Sequence, residues 1–194
     1  FHAETALIPV ARINGVTNAI VAPTSTDTLP GQDSFIQLDG KSADEMLLVR
    51  DIALPLNFTG EQRRRESWEK RKYPSTRMGM AAQLRQAFID ARDYEGKLAE
   101  YDKKKDAAAK DNKPEPLAPK RDLRLEALLP YLHGKKQIVL AAEGPSDLET
   151  AVRLANEFNL KIVLNHVSHS QAVLDYIAGL KVPVIVGPIY QEPK

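Results

Sequence analysis

Val139-Leu140-Ala141-Ala142 is an unbroken apolar run, Glu143-Gly144-Pro145-Ser146-Asp147 interrupts it with turn and capping residues, and Lys161-Ile162-Val163-Leu164 resumes it. Between the two runs, Leu148, Val152, Leu154, Ala155 and Phe158 recur along one side of a helix that the Pro145-Ser146-Asp147 segment opens. Strands that read as continuous hydrophobic runs are covered on both faces, and a helix joining two of them is the connection parallel strands require. The unit recurs downstream. Ser168 to Ala178 has helical spacing, Gly179 ends it, and Val182-Pro183-Val184-Ile185-Val186 forms a further strand closing at Gly187-Pro188. It also occurs upstream, where Leu7, Ile8, Val10, Ala11 and Ile13 fill a helix from Thr5 to Asn14. Gly15 stops that helix, and Val16 to Ala22 reads as a buried strand ending at Pro23. The class is α/β, a parallel sheet with helices on its faces.

Two stretches break the rhythm. Ser34-Phe35-Ile36-Gln37-Leu38 and Met46 to Leu54 predict shorter strands separated by a turn at Gly40-Lys41, a strand or hairpin excursion. From Met80 the chain is helical through Leu84, Phe88, Ile89, Ala91, Leu98 and Tyr101. It then grades into Lys103-Lys104-Lys105-Asp106 and the Pro-spaced segment Pro114 to Pro119. This charged insertion, about residues 99–121, is expected to be a solvated helix end running into an extended linker, because such a tract buries little apolar surface. A phosphate-binding role for the three lysines is countered by Asp102, Asp106 and Asp111 among them.

Composition narrows the function classes. The chain of 194 residues is 43% hydrophobic and 27% charged, which fits an ordered globular chain. Its 27 Lys and Arg against 26 Asp and Glu leave a net charge of +1, so neither a nucleic-acid nor a membrane-surface partner is expected. No apolar run reaches the roughly 20 residues of a membrane span. With no Cys, a metal site would use His and carboxylates. The chain opens on Phe1 and not Met, and the expectation drawn is a piece of a longer protein.

Of the four His, His133 sits before Gly134 at a helix end, where a cationic side chain suits the macrodipole. His166 lies just past the strand ending at Leu164, on the edge where parallel α/β proteins gather reactive groups. Glu143 holds the same place after the preceding strand. Neighbouring strands lie about 4.8 Å apart, so Glu143 and His166 can converge on one metal ion. The alternative for Glu143 is a solvent-facing loop acid near a helix N-terminus. His169 either shares the rim or opens the next helix. Arg77, in Pro74-Ser75-Thr76-Arg77-Met78-Gly79, could clamp a substrate carboxylate bidentately or cap a helix start. The polar Thr24-Ser25-Thr26-Asp27 suits ligand hydrogen bonding or an ordinary turn. GxSxG, P-loop, GxGxxG and HExxH motifs are absent.

Read together, Gly15 to Pro23, Gly31-Gln32, Pro74 to Gly79 and the run Asp147 to Gly187 resemble the interior of an amidohydrolase-superfamily protein of the imidazolonepropionase-like bacterial branch. The resemblance covers nearly the whole chain. It implies a (β/α)8 TIM-barrel-like fold, here partial, in which divalent metal, typically zinc, activates water at the strand C-termini to hydrolyse amide or cyclic-amide C–N bonds. By position, His166 matches the metal-binding His after the sixth barrel strand, and Glu143 stands where the family usually has a His after the fifth. A carboxylate can also ligate zinc, so one ion, or a lost site, follows from the replacement. The family's first-strand HxH would precede Phe1 and its strand-eight Asp would follow Lys194. A barrel takes about 250 residues and eight strands against roughly six here. The isolated chain is therefore expected to be inactive, and either to expose open sheet edges or to pair through them with a second copy as a homo-oligomer. The competing reading is a noncatalytic small-molecule-binding module derived from a degenerate barrel. Relatives of the branch are sometimes exported, and a chain without Cys fits a cytoplasmic or an exported setting.

Overall fold

The computed structural model describes residues 1–23, 27–58, 73–74, 76–142, 144–165 and 174–186. In chain order the elements are α1 (Leu7–Ile13), β1 (Asn18–Val21), β2 (Asp33–Gln37), α2 (Ala43–Met46), β3 (Leu47–Asn57), α3 (Arg77–Lys110) and α4 (Leu123–Leu132). They continue with β4 (Gln137–Ala141), α5 (Pro145–Glu157), β5 (Ile162–Asn165), α6 (Leu174–Leu180) and β6 (Val184–Ile185). The strands form one curled sheet in the order β1-β2-β3-β4-β5-β6, half of a barrel wall. β3 to β6 are parallel neighbours, while β1 with β2 and β2 with β3 are antiparallel. The α/β partial-barrel reading is correct, but the excursion reading holds only for β2 and α2: β3, eleven residues long and parallel to β4, belongs to the barrel sheet itself.

One face of the parallel part carries the core. Leu56, Leu140 and Leu164 are cross-strand partners, and each is at most 1% exposed. With Leu54, Phe58, Ile138 and Ala142 they pack beneath Leu84, Phe88 and Ala91 of α3, Leu128 and Tyr131 of α4, and Leu148, Val152 and Ala155 of α5. The period-2 alternation of a strand then sends Pro55, Val139 and Val163 to the opposite, concave face. Phe88 meets Phe158 at 5.2 Å between ring centroids, Arg92 lies over the Phe158 ring, and Arg85 holds Glu157 through Nε and Nη2 at 2.8 Å. These contacts fix α3 against α5.

Pro55 is tolerated inside β3 because of its direction. Phe58 N–H donates to Ala141 O of β4, whereas Asn57 N–H turns the other way to Thr28 O. Pro55, two residues before Asn57, therefore shows its missing donor on the side where β2 has already ended. At Gly40, φ is 141° and a Cβ would stand 2.8 Å from Met46 Cγ, so the turn into α2 needs glycine. Gly134 follows the C-cap His133 at φ 61°, as the helix-end reading requires, and His133 Nε2 lies 2.6 Å from Glu95 Oε1.

Three further expectations are corrected. The first helix and strand are not a buried parallel unit: α1 buries none of its residues, and β1 is an antiparallel edge strand with half its residues exposed. The charged insertion is helical for longer than expected. α3 runs to Lys110 because Ala107-Ala108-Ala109 are strong helix formers and Lys104 Nζ lies 2.7 Å from Glu100 Oε1, an i,i+4 pair. Residues 111–122 then lack regular secondary structure up to Asp122, whose carboxylate caps α4. Gly179 lies inside α6, and the left-handed residue is Lys181 at φ 53°.

Candidate functional site

The parallel register brings four strand ends into one lateral row. Asn57 of β3 pairs with Ala141 of β4, Ala141 with Asn165 of β5, and Asn165 with Ile185 of β6. All four line a concave cavity of about 670 Å³ on the face opposite the helices. Pro55, Val139 and Val163 make its apolar wall, and Gln137, at the start of β4, and Asp33, at the start of β2, complete its polar lining. The row of Asn57, Ala141, Asn165 and Ile185 is the strand C-terminal edge to which the sequence assigned its candidates, whereas Gln137 and Asp33, level with Ala53, lie at the opposite end of the strands.

Of those candidates, Glu143, His166 and His169 lie outside the described residues, so their side chains are not placed here. Their chain neighbours are. Asn165, which ends β5, immediately precedes His166, and Ala142, which precedes Glu143, donates its N–H to Asn165 O at 3.3 Å. Arg77 begins α3, and Thr76 caps that helix by accepting the Gly79 N–H at 3.0 Å. The Arg77 Nε lies 2.6 Å from Asp147 Oδ1 in the first turn of α5, with the Asp147 side chain 7% exposed and that of Arg77 53% exposed. Arg77 thus holds a carboxylate of the protein itself and ties the starts of α3 and α5 together, while its outer half faces solvent. Among the described residues no group of three or more His, Asp or Glu side chains is arranged to hold a metal ion.

The sequence reading missed Asp33. It began the strand at Ser34, one residue late, and so did not see a carboxyl opening the strand. Asp33 is 3% exposed, its Oδ1 has no hydrogen-bond partner among the described residues, and burial pushes its pKa up to about 6. Next to it, Gln32 Nε2 donates to Tyr131 OH at 3.1 Å, and burial raises the Tyr131 phenol as well. Lys136 pairs with Asp51 across the start of β4. Asn57 and Asn165 were also missed. The signal available for both was a polar amide closing an apolar run.

Comparisons with protein-family models and with curated proteins find no match. Among solved structures, an amidohydrolase from Thermotoga maritima MSB8 is similar at 30% sequence identity and a TM-score of 0.81 over 97% of this chain. The chain spans about half of that protein's length, 46%. A likeness in both sequence and fold over nearly all of these residues supports the amidohydrolase family for this chain.

Proposed function

We propose that the chain supplies central strands of an amidohydrolase barrel that cleaves amide or cyclic-amide C–N bonds at a divalent metal, zinc foremost, with its substrate a small molecule. One observation carries this reading: the row Asn57, Ala141, Asn165 and Ile185 sets four parallel strand ends around one cavity in a chain similar throughout to an amidohydrolase. His166, one residue past that row on β5, is the proposed metal ligand, and Glu143, two residues past it on β4, the second. Since the described residues alone provide no complete donor set, the remaining ligands would come from elsewhere in the barrel. A bound divalent ion would polarise the scissile carbonyl and lower the pKa of a water. Arg77, anchored by Asp147 with an exposed outer edge, and His169 are the proposed substrate contacts. Asn57 and Asn165 place amide groups at the same rim, suited to orienting a polar ligand.

Hydrolysis of N-acyl amino acids and cyclic amides by protein carrying this chain, with zinc supplied, tests the reading. His166→Ala should lower kcat/KM by at least about 100-fold, the upper end of what losing even an outer-shell partner of a metal costs. Unchanged turnover in His166→Ala would remove that residue from the mechanism. The second reading, a binding module without catalysis, is favoured by the lining itself, apolar walls with a few amides and one carboxyl. Specific binding with no turnover of any amide would select it.

A further inference from the structure

Asn14-Gly15 is the single place in the 194 residues where glycine follows asparagine. Both residues are exposed, Asn14 as the C-cap of α1 and Gly15 just after it at φ 84°. Such a pair has a reaction of its own. The Gly15 backbone nitrogen can attack Cγ of the Asn14 side chain, because glycine has no Cβ to obstruct the approach. A bond forms from that nitrogen to Cγ, the Cγ–Nδ2 bond breaks, and ammonia leaves with the proton the nitrogen gives up. Water then opens the resulting cyclic succinimide at either carbonyl, so that position 14 becomes aspartate or an isoaspartyl linkage. The step needs neither oxidant nor cofactor.

In the folded helix both reacting groups are held. Asn14 Nδ2 donates to Val10 O at 2.8 Å, and the Gly15 N–H donates to Arg12 O at 2.9 Å. The Asn14 ψ of 11° also turns the Gly15 nitrogen away from Cβ, whereas ring closure needs it on the Cβ side. The reaction therefore waits for the last turn of α1 to open. That opening is easy: α1 has seven residues, buries none of them and has Ala6, without a side-chain acceptor, as its N-cap. Uncovered helices shorter than roughly 12–15 residues are marginal in water, and frayed ends open at almost no cost. From these observations we infer that Asn14-Gly15 is a modification site, at which spontaneous deamidation is gated by fraying of α1. The product reinforces the opening. Aspartate or isoaspartate has no amide to donate to Val10 O, and its charge sits at the helix C-terminus, where the macrodipole is already negative. The site is far from the rim: α1 leads into β1, whose Asn18 pairs with Gln37, and the neighbouring Ile36 pairs with Leu47, at the other end of β3 from Asn57. The inference does not rest on the hydrolase reading, because the chemistry is that of the chain itself.

Incubation of protein carrying this chain at mildly alkaline pH, beside a synthetic peptide of residues 10–17, followed by peptide mapping in a mass spectrometer, provides the test. Asn14 should convert within about tenfold of the peptide's rate, as fraying at little cost requires. Asn18 and Asn112, exposed but followed by Ala19 and Lys113, should stay intact over the same period. Gly15→Ala should slow conversion by at least about tenfold in protein and peptide alike, so the effect is readable whatever the substitution does to the fold. Hydrogen exchange should give the Gly15 N–H a protection factor equal to the ratio of the peptide rate to the protein rate. In the converted fraction, protection across residues 7–14 should be lost while the melting temperature is unchanged, because α1 contributes nothing to the core. Asn14 intact when the peptide has fully converted, Asn18 or Asn112 keeping pace with it, or Gly15→Ala converting like the wild type would each overturn the inference. So would a protection factor that departs from the rate ratio, or α1 protection that survives conversion.

Discussion

In β4, Ile138 and Leu140 are 0% and 1% exposed, whereas in β1, at the edge of the same sheet, Ile20 is 58% exposed. The helices divide in the same way. α5 buries six residues, and α1, with a comparable apolar pattern, buries none and leaves Leu7 and Ile13 at 75% and 86% exposure. β4 has parallel partners on both sides and α3 to α5 above it, while among the described residues β1 has only β2. Apolar periodicity states that an element needs cover; topology decides whether these residues provide it. Among the described residues, the parallel half is covered by helices on one face, whereas α1, β1 and the concave face have no such cover.

The largest expected contrast comes from matched truncations. Leu140→Ala should lower stability by about 2–5 kcal/mol in urea unfolding, since it opens a cavity in the core. Ile20→Ala should stay within about 0.5 kcal/mol, as surface substitutions do. Similar losses at the two positions would erase the distinction between the halves.

Asp33, where the two halves meet, gives the next effect. Its folded pKa of about 6 lies above the ordinary 3.8, so the native state holds its proton more tightly than the unfolded chain. That contribution is fully present below 3.8 and is lost as pH rises through about 6. At pH 8 the ionised, buried carboxyl costs roughly 2–3 kcal/mol. Denaturation of wild type and Asp33→Asn from pH 4 to pH 8 should show the variant's advantage growing with pH. A constant difference would mean that Asp33 does not titrate in this window.

Smaller effects sharpen the same contrast. Arg85→Ala should cost on the order of 1 kcal/mol at low salt and less at high salt, because the Arg85–Glu157 pair is bidentate but 40% exposed on each side. At the open edge, Ile20→Lys should leave unfolding nearly unchanged yet shift sedimentation toward monomer, as expected where unpaired edges associate and Lys blocks them. Sedimentation unaltered by Ile20→Lys would count against pairing of copies through β1.

Much of the parallel half was legible in the sequence because its signals are local. Val139 to Ala142 and Lys161 to Leu164 lie within two residues of the observed strands, and the Gly144-Pro145 break fixes the start of α5. The exposure of α1 and β1 was not legible, since Leu7, Val10 and Ile13 have the spacing of a buried face whether or not anything packs on it. Asp33 was hidden for a related reason: it pairs with Ala53 of β3, twenty residues further along the chain. At the rim, the edge that gathers the site followed from the α/β order alone, and the register of Asn57, Ala141, Asn165 and Ile185 needed the structure. Arg77 was read as a clamp for a substrate carboxylate or as a helix-start residue; it does begin α3, but nothing in Pro74 to Gly79 reveals Asp147, seventy residues on, as its partner.

The proposal that this rim is a metal-centred hydrolytic site is tested most directly by zinc binding. Equilibrium dialysis of purified protein carrying this chain within its whole barrel against micromolar zinc, followed by metal analysis, should find zinc in the wild type, less in Glu143→Gln and none above background in His166→Ala. Zinc retained at the wild-type level in His166→Ala would contradict the account.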